Sequence, residues 1–181
     1  MSQPFAHDEL VIKQHLIGQA RTFYQEMKKN ESGSLDKELA AALLFMNVAD
    51  YLAEYVVTGL TEMTKIAVNK YYLGIVTVTP KQRDSFNIGN SIHVLDGYDF
   101  PQKTELMKEL KEINTARKKI AHEMLKTRSD KLQEIDYSVH SLVDHTEKLI
   151  IIVDDITPGM PPANLIDKFS ENSKEIEADK P

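Results

Sequence analysis

The chain has no cysteine in its 181 residues. Disulfides and thiolate metal sites are therefore excluded, and a reducing compartment suits such a composition, so a cytoplasmic location is expected. Tryptophan is absent, and glycine and proline are scarce at seven each, leaving few residues that interrupt helices. No purely apolar run approaches the roughly 20 residues of a membrane-spanning helix, and no membrane association is expected. The opening MSQPFAHDEL has no charged segment leading into an apolar stretch, so no signal peptide is expected. A Gly-rich phosphate loop, a nucleophile elbow and an HExxH motif are all missing. No cofactor follows from the motifs.

What is present is charge, unevenly placed. The net charge is −6, so the chain as a whole has no general attraction for nucleic acid. Residues 102–131 are the exception. They hold nine basic residues against five acids, a local net of +4, and the remainder carries −10. Any contact with a polyanion must come from this island.

Periodicity predicts an all-α chain. Residues 8–29 form a first amphipathic helix, with Leu10, Val11, Gln14 and Ile17 on one face and Phe23, Tyr24 and Met27 continuing it. Ser34 is a suitable N-cap for a second helix reaching about residue 72. Its seam, Leu35, Leu39, Ala42, Met46, Ala49, Ala53, Val56, Leu60, Met63 and Ala67, alternates steps of four and three without a break. Such a seam serves a bundle core first and a dimer interface second. Residues 73–79, LGIVTVT, read as a short strand or an extended crossover. Thr79-Pro80 reads as the start of a short helix ending near residue 95. Two further long helices are expected over 102–127 and 131–155, the latter capped by Asp130. The fold class is an up-and-down bundle of four to five helices over residues 1–156, followed by a flexible tail over 157–181.

The basic island contains the chain's least ordinary stretch, TARKKIAHEM over residues 115–124. Arginine holds a phosphate through paired hydrogen bonds, and histidine exchanges protons near neutral pH. Lys111, Lys118 and Lys119 add attraction for a phosphate backbone. With four arginines and six histidines in the chain, an Arg–His spacing of this size also arises by chance. The plain alternative is a solvated basic face, with His122 favoured by the C-terminal end of its helix dipole.

The segment ArgLysLysIleAlaHis, residues 117–122, resembles the Arg-x4-6-His signature of HEPN domains (higher eukaryotes and prokaryotes nucleotide-binding). The late position of the motif in a bundle with two long helices is similar too. The resemblance implies metal-independent endoribonuclease activity, with Arg117 and His122 catalytic and Lys111, Lys118 and Lys119 binding RNA. It also implies a homodimer, because the sites of that family lie in a dimer cleft, and a toxin- or defence-type role. The position after the motif arginine, usually Asn, Asp or His in active members, is Lys118 here. A cognate antitoxin or other partner protein would suit such a role, but no residue of this chain points to one. At 100° per residue, positions five apart point about 140° away from each other, so one straight helix does not aim both groups at one phosphate. The competing expectation is a non-catalytic, dimeric helical interaction protein whose Arg–His pair is structural or vestigial.

Other groupings are plainer. Asp136, His140 and Asp144 share a helix face but suggest a solvated surface before a metal site. Asp50 and Glu54 either orient a histidine of the third long helix or lie exposed, exposure being the simpler expectation. Tyr51, Tyr55, Tyr71 and Tyr72 suit packing better than base stacking.

Overall fold

The computed structural model describes residues 5–29, 35–72, 87–125 and 132–157. Five helices occupy them: α1 (Phe5–Lys29), α2 (Leu35–Tyr72), α3 (Ile88–Asp96), α4 (Lys103–Leu125) and α5 (Leu132–Ile156). There is no strand among the described residues. The expected strand over 73–79, the Thr79-Pro80 start, the Ser34 and Asp130 caps and the tail beyond residue 157 lie outside them.

The heptad seam produces the long second helix as read, and shows why it is long. Ala42, Ala49, Ala53, Val56 and Leu60 are buried, and so is a second row comprising Ala41, Phe45, Val48 and Leu52. Two adjacent buried rows make α2 a central helix, wrapped on more than one side. α5 packs against α2, and its Val139, Leu142, Leu149 and Val153 are fully buried. Each large aliphatic side chain enclosed in this way contributes roughly 1.5–3 kcal/mol of transfer free energy. The seam ends in the open at Met63 and Ala67. By length and composition the segment Leu35–Val68 would suffice to cross a membrane, and in this bundle half of its most apolar window is buried.

Directions follow from cross-helix pairs. Tyr24 meets Phe45 edge-on and Lys13 lies over the Tyr55 ring, so α1 and α2 are antiparallel. Lys13 pairs with Asp154 at 2.6 Å and Arg21 with Glu147, so α1 and α5 are antiparallel too. Arg117 of α4 reaches Asp50, and Tyr98, in the connection that leads into α4, reaches Thr61 further along α2, which sets α4 antiparallel to α2. The long helices therefore alternate down, up, down, up in chain order. α3 is a short brace between α2 and α4.

Two charged residues are buried against expectation. Lys13, 4% exposed, takes the inward position of the first helix, while Gln14 is exposed. Glu109 is 6% exposed and bonds His145 of α5 at 2.6 Å. Both acquire a partner of opposite character, which offsets the cost of desolvation.

Candidate functional site

The short helix α3 begins where Asn87, in extended conformation (φ −145°, ψ 158°), accepts a hydrogen bond from the Asn90 amide at 3.0 Å. A second acceptor comes from across the bundle. The Asp50 carboxylate of α2 accepts the Ile88 amide at 2.8 Å. Together they satisfy two of the N–H groups that a helix start leaves without internal partners.

The same carboxylate holds the motif arginine. Arg117 Nη1 stands 3.4 Å from both Asp50 oxygens. The side chains are 38% and 29% exposed respectively. Asp50 thus joins α2, the start of α3 and the middle of α4 at one point. The expectation that Asp50 lies exposed, or orients a histidine, is corrected: it is half-buried and orients the arginine. Glu54, one turn on, is exposed. Asp50 engages one guanidinium nitrogen at the outer limit of hydrogen-bond length, and the arginine side chain stays part-exposed.

His122 is exposed in the last turn of α4. With Lys108, Lys111, Thr115, Lys118 and Lys119 it belongs to the solvent side of that helix. Their steps of three and four residues place them on an arc of about 100°. Arg117 lies about 140° from His122 around the same helix. The arginine is turned toward α2 and the histidine lies on the open ridge, so the bundle does not aim the two at one point. The structure does assemble a solvent-facing row of four lysines leading to a histidine, with the positioned arginine on the side of α4 turned to α2. Thr115 turns its hydroxyl to the Lys111 carbonyl at 2.8 Å.

On α5, His140 Nδ1 lies 2.9 Å from the Asp136 carboxylate and packs edge-on against Tyr24. Asp144 points to solvent. Among the described residues no group of three His, Asp or Glu side chains is placed to hold a metal ion. Near this pair, burial and the charge of Asp136 raise the Glu38 carboxyl above its ordinary value, with His140 opposing. Burial likewise raises the Tyr24 hydroxyl, against the pull of Lys28. Tyr51 and Tyr55 are half-buried at the packing edge; the side chains of Tyr71 and Tyr72 fall outside the described set.

Two features escaped the reading of residue types. The Glu109–His145 bond joins positions 36 apart, and its only local signal is that Glu109 falls in the buried row of Leu106, Leu110 and Ile113. The Asp50–Arg117 contact joins positions 67 apart and has no local signal. No family model, curated protein or solved structure matches the chain.

Proposed function

We propose that this chain is a HEPN-like helical protein that acts on RNA as a metal-independent endoribonuclease, with its sites completed by a second copy. The observation that carries the reading is the placement of both groups on α4: Arg117, anchored by Asp50 and part-exposed on the side turned to α2, and an exposed lysine row on the solvent side that leads to His122. Held by its carboxylate, the guanidinium is oriented before any substrate arrives, and such preorganised charge is what stabilises a developing phosphorane. His122 is the group suited to take the 2′-hydroxyl proton or to protonate the departing 5′-oxygen. The divergence of the two side chains around α4 is the reason for invoking a second copy, in which the arginine of one chain and the histidine of the other share a phosphate. On this reading the protein is a cytoplasmic homodimer with a toxin- or defence-type role, and it uses no cofactor.

A second reading is favoured by the Asp50 contact itself. An arginine already paired with a carboxylate, followed by Lys118 rather than Asn, Asp or His, also fits a non-catalytic dimeric interaction protein. The deciding experiment incubates wild type, Arg117→Ala and His122→Ala with single-stranded and structured RNA in EDTA from pH 6 to 8. The ribonuclease reading expects cleavage by wild type, its abolition in His122→Ala with unchanged melting, and weakened binding and turnover in Arg117→Ala. Intact RNA with well-folded, dimeric wild type would leave the interaction-protein reading.

A further inference from the structure

The lysine row on α4 does not end at residue 111. Where α4 begins, it borders an open groove of about 500 Å³ lined by Asp96, Lys103, Thr104, Met107, Lys108, Lys111 and Glu112. Three features of this groove point to one kind of ligand. Its wall is more apolar than polar, formed by Met107 at the floor and the aliphatic stems of lysines, which cover apolar surface while their ammonium groups stay in water. Its lysines are not equivalent: Lys103 donates to the Asp96 carbonyl at 2.8 Å and closes the C-terminal end of α3, whereas Lys108 and Lys111 are exposed at the rim. Finally, Lys111 begins the solvent row that runs through Lys118 to His122, eleven residues or about 16 Å along the helix axis. A ligand in the groove is therefore collinear with the row.

We propose that this groove is a nucleotide-binding subsite for a strand that continues along α4: a phosphate between Lys108 and Lys111, the ribose and base against the apolar wall, and the chain extending past Lys118 toward His122. The proposal rests on the RNA reading above and adds to it a place where the strand is gripped away from the cleavage point. Binding energy at such a site, equal in ground and transition states, lowers KM without raising kcat. An acidic peptide would satisfy the lysines but its charged side chains gain little from the apolar part of the wall.

The test uses full-length protein and a fluorescent 2′-O-methyl oligouridylate, which cannot be cleaved through its 2′-position. One oligomer spans groove and row, and a shorter one covers the groove alone. Lys108→Gln/Lys111→Gln changes only exposed side chains, so the fold persists. Its anisotropy titration with the long oligomer is expected to give about tenfold weaker binding at moderate salt, and a slope of log K on log salt shallower by about 0.7, for the one phosphate that the two lysines hold. The long oligomer is expected to bind wild type more tightly than the short one. Where cleavage occurs, the double variant raises KM and leaves kcat alone, unlike His122→Ala. Unchanged affinity and slope in the double variant would overturn the subsite, as would an oligoglutamate competing as well as the oligonucleotide at equal charge. Binding that depends on Lys108 and Lys111 without any cleavage of ordinary RNA would keep the subsite and discard the nuclease.

Discussion

Asp50 makes two contacts that substitution separates. In Asp50→Ala the Ile88 amide loses its acceptor in a residue only 1% exposed. An orphaned buried donor costs roughly 1–3 kcal/mol. The contact with Arg117 adds little, because a half-exposed ion pair is worth about 0–1 kcal/mol. A total of roughly 1–4 kcal/mol follows. In a chain of this size 1 kcal/mol moves Tm by about 2–4 °C, so the melting point should fall by several degrees. Asp50→Asn is nearly isosteric: its carbonyl oxygen continues to accept the Ile88 amide, and only the charge opposite Arg117 is lost. Its cost should stay below about 1 kcal/mol. Arg117→Ala should match Asp50→Asn, since it also leaves the amide satisfied. Urea and thermal unfolding followed by circular dichroism, on all three variants, supply the comparison. Equal losses in Asp50→Ala and Asp50→Asn would show that the carboxylate acts through its charge alone and that the amide bond carries no weight, refuting the reasoning.

The Glu109–His145 pair should behave as a matched unit. Glu109→Ala leaves an imidazole facing a cavity and should cost about 1–3 kcal/mol, whereas Glu109→Leu/His145→Leu should come out near neutral; urea titrations of both give the comparison. Glu38 supplies a pH dependence. Its folded-state value lies above the ordinary 4.5, so the folded chain holds that proton to higher pH than the unfolded chain does. The fold gains stability from it as pH falls through the raised value toward 4.5 and loses that gain as pH rises. Glu38→Gln should accordingly be more favourable relative to wild type at pH 7 than at pH 4, and an equal difference at both would contradict the assignment.

The elements that depend on one helix's own pattern were legible in the residues. The unbroken alternation of fours and threes placed α2 at residues 35 to 72, and the apolar rows of α4 and α5 placed both within a residue or two. What was illegible depends on long-range company. α3 was expected to start at Pro80, but within the described residues it is Asn87 that caps it, helped by a carboxylate from another helix. Residue type alone would put Lys13 and Glu109 at the surface, although both occupy inward positions of their helices; position in the row was the better guide. For the candidate site, the exposed lysines and His122 stood where type and spacing put them. The divergence of Arg117 from His122 followed from spacing, but its partner did not, because Asp50 stands 67 positions away on another helix.

If Arg117 of one copy and His122 of another act on one phosphate, mixing an impaired variant with an inactive one, Arg117→Ala with His122→Ala, restores a site that neither has alone. In a heterodimer of Arg117→Ala with His122→Ala, a site shared across the two-fold axis is restored once: one of its two sites has both residues and the other has neither. With random pairing half of the dimers are mixed, so about a quarter of wild-type cleavage is expected on reassociation in EDTA, above the residual turnover of Arg117→Ala alone and the absent turnover of His122→Ala alone. A mixture no more active than its components, with heterodimers shown to form, would contradict a site shared between copies.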